Sequence, residues 1–177
     1  TNIVAGIIFR KNLNERIALR AKLNYAKIGS SDNWPKTVEY RAERGKYFTN
    51  KIIELGLGID FNFEEFDIYN STLQKTPYIS TGINFFNYNA IRYEIREVKA
   101  NQYGKGSNIS IPITFGYKIK PLKNFIIGFE ATANQSFSDN LDGSFPVDQY
   151  KSSSEIFGST LSKDWYVFSG ITLTYLF

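Results

Sequence analysis

ISIPITFGYKI, residues 109–119, decides the fold. Its odd positions, Ile109, Ile111, Ile113, Phe115, Tyr117 and Ile119, are all large and apolar. Its even positions, Ser110, Pro112, Thr114, Gly116 and Lys118, are small or polar. Successive side chains on a strand point to opposite faces of the sheet, so this stretch reads as one strand between two environments. The same period recurs outward from it. Residues 125–136 set Phe125, Ile127, Phe129, Ala131 and Ala133 against Gly128, Glu130, Thr132 and Asn134. Residues 77–86 set Ile79, Thr81, Ile83 and Phe85 against Ser80, Gly82 and Asn84. Residues 52–63 set Ile53, Leu55, Leu57, Ile59, Phe61 and Phe63 against Glu54, Gly56, Gly58, Asp60 and Asn62. Residues 16–27 and 165–177 alternate likewise, while 2–10 is strand-like but alternates poorly. Seven strands result, most about 10–13 residues long where soluble proteins average roughly 5–6.

The two faces differ in kind. One is bulky and apolar on nearly every strand; the other carries Gly, Ser, Thr and Asn, with Arg20, Lys22, Glu54, Asp60 and Glu130 at mid-strand. Small polar residues suit a crowded barrel interior, and a continuous greasy exterior suits lipid. This is the transmembrane β-barrel pattern, in which closure satisfies every backbone hydrogen bond in hydrocarbon. The connections agree. Short or intermediate ones (11–15, 64–76, 120–124) alternate with long ones (28–46, 87–107, 137–163), as periplasmic turns alternate with external loops. Aromatics gather toward strand ends: Phe61, Phe63, Tyr117, Phe125, Tyr175 and Phe177 at one side, Tyr25, Tyr47, Phe48, Phe85, Tyr88, Phe137 and Trp165 at the other. Two interfacial girdles have this form. Bacterial barrels have even strand numbers, so the expectation is one domain over 1–177, an all-β, eight-stranded antiparallel transmembrane barrel. Seven of its strands lie in this sequence, and a first strand, ahead of residue 2, is missing from it.

Composition narrows the chemistry. The 177 residues are 16% aromatic and contain no His or Cys, which removes the commonest general base, imidazole metal ligands, disulfides and thiolate nucleophiles. The net charge of +4 is scattered rather than striped, so no nucleic-acid surface is expected. No apolar run is long enough for a transmembrane helix, and mean hydropathy is −0.28. No leader is read at Thr1, which suggests a mature chain or a fragment. Residues 138–143 (SDNLDG) begin like a calcium loop, but Gln149 stands where the bidentate Glu belongs. Asn70-Ser71-Thr72 matches a glycosylation sequon, which carries no weight in a bacterial barrel. Glu64 and Glu65 read as a solvated turn. The charges Arg20, Lys22, Glu54, Asp60 and Glu130 read as a lumen cluster of ion pairs, with Arg20 set to meet Glu130 and Lys22 set to meet Glu54. No catalytic residue, metal or cofactor is expected.

Four stretches carry a resemblance: NKIIELGLGIDFNF (50–63), TPYISTGINFFNY (76–88), LDGSFP (141–146) and DWYVFSGITLTYLF (164–177). In this order and spacing the chain resembles the PorG family, small outer-membrane barrels of the type IX secretion and gliding apparatus of Bacteroidota. The resemblance implies a non-enzymatic component in the bacterial outer membrane, surrounded by its lipid. It also implies association with the periplasmic ring of a PorK/GldK-like lipoprotein and its partner PorN/GldN. A periplasmic partner reaches only the short-turn side, where 64–75 (EEFDIYNSTLQK) places Phe66, Ile68 and Tyr69 within a charged rim, a candidate docking turn. Two alternatives stay open. One is a stand-alone outer-membrane barrel whose external loops bind a ligand or surface, or which admits a small apolar solute. The other is a soluble ligand-binding barrel.

Overall fold

The computed structural model describes residues 3–31, 47–70, 72–92, 101–137 and 165–177. They form seven strands: β1 (Ile3–Asn12), β2 (Ile17–Ser31), β3 (Tyr47–Asn62), β4 (Gln74–Arg92), β5 (Asn101–Leu122), β6 (Phe125–Ser136) and β7 (Trp165–Tyr175). All neighbours in sequence pair antiparallel, in the order β1 to β7, giving one curled, half-barrel sheet with no helix among the described residues. Edge strands β1 and β7 run parallel to each other, because both are odd members of an up-and-down meander. The connections 13–16, 63–73 and 123–124 lie at one end of the sheet, here called the short-connection end; the other end joins β2 to β3, β4 to β5 and β6 to β7.

The alternation sets the curl. The bulky residues face outward and are exposed, among them Leu23, Ile53, Leu55, Leu57, Ile83, Ile113, Phe115, Ile127 and Phe129. Their neighbours Lys22, Glu54, Asp60, Asn84, Ser110, Thr114 and Glu130 face inward and are buried. Strands β3 and β4 approach closely where Gly58 and Gly82 pair: a Cβ on Gly82 would lie 2.1 Å from the Leu57 carbonyl oxygen. Only glycine lets the two backbones approach so closely.

Several elements depart from the expected bounds. Strands β2 to β5 run longer toward the long-connection end, and the β4–β5 ladder continues to Arg92↔Asn101. Much of the expected loop 87–107 is therefore hairpin. Its alternation is hard to recognise because the polarity inverts there: Asn87 and Asn89 share the outward face, while Phe86, Tyr88 and Ala90 are buried on the inner one. Loop 28–46 likewise loses 28–31 to β2, while 138–143 and nearly all of 137–163 lie outside the described residues. Strand β1 does alternate, with Val4, Ile8, Arg10 and Asn12 turned inward. Nor is the inner face uniformly small. Ile52, Phe86, Tyr88 and Tyr166 close its long-connection end as an apolar cluster. Tyr88 thus points inward, at 7% exposure, rather than joining an outer girdle, whereas Tyr25, Phe85 and Trp165 are exposed as expected.

Candidate functional site

The interior is built in layers, each fixed by inward positions that the register aligns. Nearest the short connections, Arg10 and Arg20 sit opposite each other on β1 and β2. Two like charges side by side repel, and the layer answers with carboxylates from distant strands. Arg10 Nε donates to Asp60 Oδ2 at 2.9 Å, and its Nη2 reaches Glu130 Oε1 at 2.5 Å. Arg20 Nη2 reaches Glu130 Oε2 at 2.5 Å, and its Nη1 faces Asp60 Oδ1 at 3.6 Å. Glu130 thus bridges both arginines, one through each oxygen. Tyr78 donates its hydroxyl to Glu130 as well. Its ring lies against bare backbone at Gly116, where a Cβ would come within 2.3 Å of Tyr78 Cζ.

The next layer combines one ion pair with amides and hydroxyls. Lys22 Nζ meets Glu54 Oε1 at 2.9 Å, and Tyr166 donates to Glu54 Oε2 at 2.8 Å. Asn24 Nδ2 gives Glu54 a third bond at 3.1 Å. Asn84 Nδ2 donates to Asn134 Oδ1 at 2.9 Å, while Ser110 and Tyr166 share a 3.0 Å bond. Above them Phe86 packs edge-on to Tyr166 with centroids 5.8 Å apart, and the ring series continues to Phe168. Bonded charges thus fill one level of the interior and packed rings the other.

The short-connection end is capped by the 63–73 turn. Phe66 is 2% exposed and folds into the mouth of the sheet, its amide donating to the Glu15 carbonyl at 3.0 Å. This departs from the expectation of an exposed anchor, because the turn doubles back under Lys118, whose Nζ lies 4.7 Å from the Phe66 ring centroid. Ile68 is half-buried, and its carbonyl accepts from Lys120 Nζ, as does that of Asn70. Tyr69 alone of the three projects freely, at 87% exposure. Arg16 ties the turn to the neighbouring 13–16 turn through the Phe63 carbonyl at 2.8 Å and Glu65 at 3.1 Å. The two turns form one bonded platform, with Leu13, Phe63, Tyr69 and Leu73 exposed on it.

Arg20, Asp60 and Glu130 therefore gather in one layer, and Lys22 and Glu54 in the next. Arg10, Tyr78, Lys118 and Tyr166 join them without having been singled out from sequence. Arg10 was hidden by the apolar residues on both faces of β1. No group of three acidic side chains able to hold a metal ion occurs among the described residues.

Across residues 1–177 the chain matches the family model described as Domain of unknown function (DUF6089), and it belongs to that family. No curated protein and no solved structure matches it.

Proposed function

We propose that this DUF6089 member is a non-enzymatic outer-membrane β-barrel, a structural component of the type IX protein secretion machinery. The observation that carries the membrane assignment is the inversion of the usual burial pattern. Isoleucine, leucine and phenylalanine cover the outside of the sheet, while arginine, lysine, aspartate and glutamate pair within. In water that exterior would be an aggregation surface. In hydrocarbon it is the favourable one.

The direction of the edges supports closure by a further strand. Because β1 and β7 run parallel, one added strand antiparallel to both completes an up-and-down barrel of eight. On this reading the added strand joins the sheet ahead of β1. The assignment to secretion rests on the resemblance of 50–63, 76–88, 141–146 and 164–177 to the PorG family. It makes the short-connection platform the face toward the periplasmic lipoprotein ring of PorK/GldK and PorN/GldN. Tyr69 and Phe63 are exposed aromatics there, and Phe66 is the internal anchor that holds the turn in place.

Two measurements test the proposal. Outer-membrane extraction should require detergent, and the folded protein should migrate differently on gels before and after boiling. Extraction in aqueous buffer alone would overturn the membrane assignment. An affinity-tagged chain should then capture the ring lipoprotein from detergent-solubilised envelopes. A barrel that assembles normally yet captures no ring component would overturn the secretion role and leave a stand-alone barrel.

A further inference from the structure

The interior is not electrically balanced. Among the described residues five cations face inward, Arg10, Arg20, Lys22, Lys118 and Lys120, against three carboxylates, Glu54, Asp60 and Glu130. Four of the five are accounted for. Arg10, Arg20 and Lys22 are ion-paired, and Lys120 is held by two backbone carbonyls. Lys118 is the exception: it is 5% exposed and makes no ion pair, its ammonium lies 4.7 and 5.0 Å from the rings of Phe66 and Tyr78, and the carboxylates that act on it from farther off, Asp60 and Glu130, are already engaged by Arg10 and Arg20. Aromatic faces offset part of the desolvation of a cation but do not replace a hydrogen-bonded counter-charge.

The register leads from Lys118 to the open edge of the sheet. Lys118 pairs with Gly128 on β6, and Gly128 pairs with Thr172 on β7. The row runs from Lys118 across two small residues to the open edge of the sheet. Lys118 and Thr172 both line a cavity of about 230 Å³ between the edges, whose other walls include Ile8, Arg10 and Thr174. A second cavity of about 380 Å³ lies between the same two edges higher up, against Gly6, Ile8, Gly170 and Thr172. Together they trace a slot along the strand direction, with the unpaired main-chain groups of β1 and β7 on either side.

We infer that this slot is a strand-acceptor site whose occupant is an extended peptide segment bearing an inward carboxylate opposite Thr172, placed to pair with Lys118. This deepens the closed-barrel reading and rests on it. The segment runs antiparallel to both edges, with apolar side chains outward. The carboxylate supplies charge-assisted hydrogen bonds to the Lys118 ammonium. Its source is the polypeptide strand that closes the barrel, not a lipid headgroup.

The absence of cysteine makes the test clean. The full chain, refolded into phosphatidylcholine vesicles, carries a single cysteine as Phe9→Cys on β1 or Leu173→Cys on β7, both at exposed outward positions. It is offered a synthetic strand of alternating Val and Thr, with an outward cysteine and one inward Glu, or the same peptide with Gln. The Glu peptide should be disulfide-trapped at both edges, with half-trapping at about tenfold lower concentration than the Gln peptide. Lys118→Met should erase that preference and Lys118→Arg should keep it. Equal trapping of the two peptides by the parent chain would overturn the carboxylate while leaving strand acceptance intact. Trapping at neither edge would overturn the closure itself. If phosphatidylglycerol vesicles abolish the Glu preference, the partner of Lys118 is a lipid anion and the inference falls.

Discussion

Near the short connections two arginines, two carboxylates and a tyrosine hydroxyl share one layer of the interior. Toward the long connections one Lys22–Glu54 pair gives way to amides and then to the rings of Tyr166, Phe86, Tyr88 and Phe168. Both layers fill the same curl, but by different physics. The charged layer has few ways to be satisfied, since each oxygen of Glu130 serves a different arginine. Removing Glu130 leaves Asp60 alone to face two buried arginines. The ring layer loses only packing when a member is trimmed. The lower half therefore selects one arrangement of strands, and the upper half mainly excludes water from it.

That contrast can be broken experimentally. Glu130→Gln leaves Arg10 and Arg20 short of charge, and should cost about 3–5 kcal/mol in urea unfolding from vesicles. Phe86→Ala should cost about 3 kcal/mol by the cavity it opens, and admit a water-soluble quencher to Tyr166. If Phe86→Ala proves the more damaging, the assignment of specificity to the charged layer is wrong. The outer face extends the comparison. Leu57→Arg adds a charge where none is compensated, and should cost about 2 kcal/mol in a bilayer while leaving both inner layers bonded. The smallest effect belongs to the exposed Arg16–Glu65 pair on the platform, where Glu65→Gln should change stability by less than about 0.5 kcal/mol. Phe66→Ser sharpens the platform itself. Barrel assembly should survive, while the 63–73 turn becomes cleavable by added protease because its internal anchor is gone.

How much of this was legible depended on whether a local rule was being followed. From β2 to β7 most residues face where the two-residue period puts them, because one face is bulky and the other small. Strand β1 was opaque: Ile7 and Phe9 outside stand beside Val4 and Ile8 inside, so nothing in IVAGIIFRKN marks a polar face until Arg10. Pairing with β2 reveals it, by setting Arg10 across from Arg20. Phe85 and Phe86 hid the ring layer in a similar way, since two equal neighbours carry no period. Phe66 was unreadable on other grounds. Its burial comes from a chain reversal that brings it to Lys118, 52 positions along the sequence, and no short pattern encodes that meeting.

The sequential pairing of all seven strands also bears on the order in which the molecule assembles. Each ladder joins neighbours along the chain, so hairpins can zip up one after another without bringing together strands distant in sequence. The ion pairs follow a different timetable. Arg10 must wait for Glu130, 120 residues further along, and Arg20 for the same side chain at a separation of 110. Until β6 arrives, both guanidinium groups depend on water or on Asp60. A growing sheet cannot dry its inner face early without stranding them. This connectivity favours a wet, partly curled sheet first, with the arrival of Glu130 completing the pairing of its two arginines.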